Sequence, residues 1–132
     1  MSKWIPVLVI DDDEIIRKAL KRNLRLYGFE VYLAENGLTG LNLAQEKRPA
    51  FILLDWMMPE MDGLEVLSEL KLDERTEDIP VFMLTDRGMK GDLDQAFEIG
   101  IDDYITKPRD LRLLGIIVKT KWEKYIKPAE VR

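Results

Sequence analysis

The chain contains no cysteine and no histidine. The first gap excludes disulfides and thiolate metal ligands; the second excludes an imidazole base, a His-ligated zinc and a phosphohistidine on this chain. Also missing are any run of about 18 apolar residues and the basic, apolar, small-residue order of a signal peptide at the start. Neither a membrane span nor export is therefore expected, and a cytoplasmic location is. Positive charge is scarce as well. Against 25 Asp and Glu stand 20 Lys and Arg, a net charge of −5, which is the wrong sign for gripping a nucleic-acid backbone. The one basic stretch, Lys119, Lys121, Lys124 and Lys127, falls in the last helical pattern, where cations complement the helix dipole. Any chemistry must run on carboxylates, lysine, hydroxyls or a bound cation.

What is present is a fivefold alternation of apolar runs and helical periodicity. At 132 residues and 46% apolar content the chain fits one domain, 1–132, with an ordered core of about 4–126. Val7–Ile10 reads as a strand buried on both faces and stops at Asp11, Asp12, Asp13 and Glu14. Ile16, Leu20, Leu24 and Tyr27 then form one face of a helix ending at Gly28. A strand at 31–33 precedes a helix from about Gly37 that carries Leu38, Leu41 and Ala44 inward. The third unit is a strand at 51–54, a turn-rich loop with Pro59, Asp62 and Gly63, and a helix of Leu64, Leu67 and Leu70. A strand at 81–84, a glycine-bearing loop at 86–91 and a helix burying Leu93, Ala96 and Phe97 follow. The last unit is a short strand at 104–106 and a helix presenting Leu111, Leu114, Val118, Trp122 and Tyr125, ending near Ile126, despite Gly115.

Such an alternation predicts an α/β fold: a doubly wound, five-stranded parallel sheet, (βα)5 and flavodoxin-like, with strand order 2-1-3-4-5. In these sheets ligands bind beyond the carboxyl ends of the strands, at the point where strand order reverses. The residues at those ends are Asp11 and Asp12, Asp55, Thr85 and Lys107. Three carboxylates in one crevice repel each other unless something positive sits among them. All-oxygen donors select a hard cation, Mg2+ with Mn2+ as a substitute, and Lys107 adds a second positive charge. One carboxylate can then attack phosphorus, and Asp55, alone at its strand end, is the best placed. The cation and Lys107 would spread the charge of the transferring group, while Thr85 could donate its hydroxyl to it.

Four segments carry a resemblance: VLVIDDDEIIR, LLDWMMPEMDG, VFMLT and YITKP, in this order and at these strand ends. Over nearly its whole length the chain resembles the CheY-like receiver domain of two-component response regulators. The resemblance implies that Asp55 is the phosphoacceptor and that Asp11, Asp12, Asp55 and the backbone carbonyl of Met57 hold Mg2+. It further implies that Lys107 bridges to the phosphoryl group, that Thr85 and Tyr104 form a switch pair, and that the Lys107–Pro108 bond is cis. A switch of this kind is a signalling module that catalyses its own aspartyl phosphorylation and dephosphorylation, and repacks the surface of helix 4, strand 5 and helix 5. Its phosphoryl donor would be a sensor histidine kinase or phosphotransfer protein, and its output a downstream protein target or an output domain outside this chain. Monomer and phosphorylation-dependent dimer both fit.

At one position the chain departs from the pattern. After Thr85 the family usually has a small residue, whereas Asp86 and Arg87 stand here, and an anion at the mouth could repel phosphate donors or water. Blander roles exist too: Asp12, Asp13 and Glu14 could merely cap the first helix, Asp62–Gly63 could be only a turn, Tyr104 core and Lys107 surface. Two other functions compete. A haloacid-dehalogenase-type phosphohydrolase would use Asp11 as nucleophile with Asp13, but its Gly-Thr sequel is missing. A pseudo-receiver that docks partners without taking phosphate would keep only the fold.

Overall fold

Alternation inside continuous apolar runs decides how this molecule is layered. In β1 (Ile5–Ile10), Val7 and Val9 face one side while Leu8 and Ile10 face the other, and all four are fully buried. The computed structural model describes residues 4–86 and 93–130. Within them, β1 is followed by α1 (Glu14–Arg25), β2 (Phe29–Ala34), α2 (Gly37–Lys47), β3 (Phe51–Asp55), α3 (Gly63–Leu72), β4 (Val81–Thr85), α4 (Leu93–Ile99), β5 (Asp103–Thr106) and α5 (Leu114–Glu130). A short 3-10 turn, Leu111–Leu113, leads into α5. The five strands pair in parallel in the order β2-β1-β3-β4-β5, as expected.

Each sheet face has its own core. Leu8, Ile10, Ile52, Leu54, Val81 and Met83 meet α2, α3 and α4 through Ala44, Val66, Leu67, Leu70 and Ala96. Opposite them, Val7, Val9, Phe51, Leu53, Phe82 and Leu84 meet α1 and α5 through Ile16, Leu20, Leu24, Leu114 and Val118. Phe51 anchors this second core, with Trp122 stacked on it at 4.5 Å and Phe29 edge-on at 5.6 Å.

Two inward assignments change, and one residue changes element. Leu38 is 66% exposed, and α2 instead buries Gly37, Gly40 and Ala44. The helix lies so near the sheet that a β-carbon on Gly40 would stand 2.5 Å from Ile10 Cδ1. Small residues make that contact, and counting large apolar residues overlooks them. Phe97 is likewise outside, leaving Ala96 as the buried residue of α4. Leu111 belongs to the 3-10 turn, and α5 continues past Ile126 to Glu130. From Arg87 onward the loop expected at 86–91 lies outside the described residues, as does the side chain of Lys127.

Candidate functional site

Adjacent strands in parallel register bring their C-terminal tips to one edge. Ile10 pairs with Leu54, Asp55 with Leu84, and Thr85 with Thr106, so the residues at and after these positions converge. Asp55 is the last residue of β3 and Thr85 the last of β4, so each of these strands runs one residue further than the apolar runs at 51–54 and 81–84 predict.

Three consecutive aspartates leave β1 with three different surroundings. Asp11 is fully buried, and its Oδ1 accepts from the Asp13 amide at 2.9 Å. Asp13 caps α1: its Oδ1 accepts from the amides of Ile15 at 2.8 Å and Ile16 at 3.4 Å. Asp12, exposed between them, is free of that duty, and one oxygen each of Asp11, Asp12 and Asp55 lie within 4.8 Å of one another. The capping role proposed for the whole acidic run thus falls to Asp13. This also leaves the phosphohydrolase reading without its second carboxylate.

Lys107 stands in the midst of these anions. Its Nζ donates to Asp55 Oδ1 at 3.1 Å and lies 3.2 Å from Asp11 Oδ2, an ion-pair contact without hydrogen-bond alignment. The lysine is no surface residue, its side chain being 13% exposed. Lys107–Pro108 is trans, correcting the cis bond implied by the resemblance: no cis peptide bond occurs among the described residues. Trans is the form favoured by about 0.5–1 kcal/mol, and from it the lysine reaches both buried carboxylates.

Burial pushes the Asp55 carboxyl up to about 7, helped by the negative charges of Asp11 and, less, Asp12, and opposed by Lys107. Burial likewise raises Asp11, against the Asp13 amide and Lys107. Burial disfavours the Lys107 ammonium, but Asp11 and Asp55 outweigh it and the pKa lies above the usual lysine value. Each carboxylate is thus short of positive charge even with the lysine in place. Asp11 Oδ2 is buried with no hydrogen bond. A buried carboxylate oxygen without a hydrogen bond, beside two further carboxylates, is a donor set suited to a small divalent cation.

Supporting residues include several that sequence reasoning passed over. Gly63 is more than a turn residue. Its amide donates to Trp56 O at 2.9 Å, and a β-carbon there would lie 2.5 Å from the Asp55 carbonyl oxygen. Asp62 caps α3 reciprocally with Glu65. Arg17 Nη1 donates to Asp11 O at 2.8 Å, holding the tip of β1; nothing in the sequence pattern signals a contact six residues apart. The Thr85 hydroxyl pairs with Thr106 Oγ1 at 3.2 Å, and its carbonyl accepts from the Lys107 amide at 2.7 Å. Tyr104 is 37% exposed, with Lys121 Nζ 5.7 Å from its ring centroid, so it is not the core residue of the bland reading. Met57, two residues past Asp55, has an exposed side chain, whereas Trp56 and Met58 are buried. Asp86, the anion expected at the mouth of the site, has its Oδ1 3.6 Å from Lys107 Nζ.

Comparison with known proteins identifies the family. Residues 7–119 match the family model for the response regulator receiver domain. The chain belongs to this receiver family. It is 46% identical over 105 residues to the DNA-binding dual master transcriptional regulator RpaA of Synechocystis, an alignment covering 80% of this receiver and 44% of that protein. The receiver spans about half the length of the curated relatives it matches. Among solved structures, Vibrio cholerae CheY4 superposes with a TM-score of 0.77 at 27% identity, covering 88% of this chain and 98% of that one. The Mn(2+)-bound form of response regulator Rcp1 superposes with a TM-score of 0.77 at 26% identity, covering 93% and 95%. Receivers are signalling modules of two-component systems. No helix among the described residues is long and apolar enough to cross a membrane.

Proposed function

We propose that this receiver is a phosphorylation-driven switch whose phosphoacceptor is Asp55. The observation that carries the reading is Lys107 Nζ between the buried carboxylates of Asp55 and Asp11, at 3.1 and 3.2 Å, with Asp12 alongside. An Asp55 oxygen attacks the phosphorus of a phosphohistidine or small acyl phosphate. As the new O–P bond forms, the donor's N–P or O–P bond breaks and the donor departs with the electron pair. Lys107, already on Asp55, stays on the acyl phosphate and balances part of its charge.

Mg2+, or Mn2+ in its place, would be held by Asp11, Asp12, Asp55 and the Met57 carbonyl, and supplies charge neutralisation at the transferring oxygens when bound. The Asp11 oxygen that lacks a hydrogen bond, the all-carboxylate donor set and the Mn(2+)-bound form of Rcp1 support this. Gly63 keeps the Asp55 loop packed against α3, and Asp13, by capping α1, leaves Asp12 open.

A phosphoryl group adds about −1.5 to −2 charge and three acceptor oxygens. Thr85 exchanges its Thr106 partner for one of those oxygens, and the exposed Tyr104 ring turns toward the space it vacates. The repacked α4-β5-α5 surface then carries the signal to a downstream protein target or an output region outside this chain. A sensor histidine kinase or phosphotransfer protein supplies the phosphoryl group in the cytoplasm, and residues 4–126 act as one receiver domain. The closing of the cycle, hydrolysis of the acyl phosphate, is catalysed by the same residues.

The test is incubation of the intact chain with acetyl phosphate and Mg2+, followed by mass spectrometry of the peptide containing residue 55. One added phosphoryl group is expected, absent in Asp55→Asn. Modification elsewhere, or none, overturns the assignment.

A further inference from the structure

We propose that Asp86 is a positioning residue that holds Lys107 from the solvent side and slows phosphorylation by free dianionic donors. This rests on Asp55 being the phosphoacceptor. Lys107 Nζ faces three carboxylates: Asp11 at 3.2 Å, Asp55 at 3.1 Å and Asp86 at 3.6 Å. Two of the three are almost fully buried, whereas the Asp86 side chain is 59% exposed. The third anion is therefore the one an incoming donor meets. Among the described residues, Lys107 is the only cation in ion-pair contact with Asp55. A free dianion such as acetyl phosphate approaches against the Asp86 charge and must share a lysine already in contact with three carboxylates. Repulsion of this kind is long-ranged at low salt and screened over about 10 Å at 0.1 M.

Two consequences separate a charge effect from bulk. Asp86→Asn removes the charge at nearly unchanged size, and Asp86→Glu keeps the charge with a longer side chain. The Asp86 side chain is 59% exposed and makes one ion pair among the described residues, so both variants should fold with an unchanged melting temperature.

The experiment is the rate of phosphoryl incorporation on Asp55 of the intact chain, with Mg2+, followed by mass spectrometry across a series of salt concentrations. With acetyl phosphate, Asp86→Asn should react about two- to fivefold faster than wild type at low salt, the range that an exposed ion pair supports. That gain should shrink as salt rises, and Asp86→Glu should stay near the wild-type rate. Phosphoramidate, which carries less negative charge near neutral pH, should gain less from Asp86→Asn. Equal rates for wild type and Asp86→Asn, a gain independent of salt, or an equal gain in Asp86→Glu would overturn the role of Asp86 alone. No incorporation on residue 55 in wild type or either variant would overturn the phosphoacceptor assignment, and this inference with it.

Discussion

Gly115 of α5 rests against Asn23 of α1 so closely that a β-carbon on the glycine would lie 2.7 Å from Asn23 Cβ. Tyr27 Cε2 would be 3.1 Å away, and the Asn23 side chain already donates to Leu111 O at 3.1 Å. In an isolated helix Gly115→Ala would stabilise by about 1 kcal/mol. Here it should destabilise by about 1–3 kcal/mol, the cost of overpacking. Urea unfolding of the two proteins checks this, and a stabilised variant would show that the two helices separate freely.

Gly63→Ala should do more, because the atoms in its way are main chain. The added carbon would meet the Asp55 carbonyl oxygen at 2.5 Å and Trp56 Cα at 2.9 Å. A loss of about 2 kcal/mol or more is expected, together with a weaker Mg2+ response of Trp56 fluorescence, read with Trp4 and Trp122 replaced by Phe. Wild-type Mg2+ affinity in this variant would separate the α3 junction from the acceptor site.

Stability without metal should depend on pH through Asp55. Its carboxyl titrates near 3.8 when unperturbed and at about 7 in the folded chain, so the folded state holds the proton more tightly. The stabilisation this provides is full below about pH 4 and is lost as pH rises through about 7. Asp55→Asn never acquires that charge. In EDTA at pH 8 the variant should be more stable than wild type by about 2 kcal/mol, and the gap should close as pH falls toward 4. Saturating Mg2+ should narrow the gap at pH 8, since a ligand that binds the folded wild type more tightly stabilises it by mass action. Thermal melts at pH 8 and pH 4.5, with EDTA or Mg2+, give the four values needed.

Lys107→Ala removes the cation nearest to the three carboxylates. Mg2+ should still bind, and at least as tightly as in wild type, because the ion no longer shares Asp11 and Asp55 with an ammonium group. The fluorescence change on adding beryllofluoride should be lost, because the direct contact between Asp55 and the residue that follows β5 is gone. Full switching in this variant would refute the bridging role.

Much of this architecture is legible in the residues alone. Val7–Ile10, Phe51–Leu54 and Val81–Leu84 read as strands because continuous apolar runs are what a sheet covered on both faces requires. Once parallel order is assumed, Asp11, Asp12, Asp55, Thr85 and Lys107 must arrive together. What escaped the reading depends on distances across the fold. Leu38 and Phe97 fit the period of a buried face, yet Gly40 replaces the first, and of the pair Ala96 and Phe97 only the alanine is buried, since tight approach selects small side chains. Gly115 looks like a cost to its helix, and Gly63 like a turn residue, until the partner helix and the Asp55 backbone come into view. The sign of Asp86's charge was plain, but its lysine partner arrives from the end of another strand.

The amide of Lys107 and the carbonyl of Thr85, joined at 2.7 Å, tether the lysine's own backbone to the hydroxyl residue across the β4–β5 gap. A tug on either tip is therefore felt by its neighbour without any side chain serving as messenger. Replacing Thr85 by alanine would delete the hydroxyl and spare this main-chain lever. Some residual movement of β5 should persist in such a protein, making it a dimmed switch in place of a dead one.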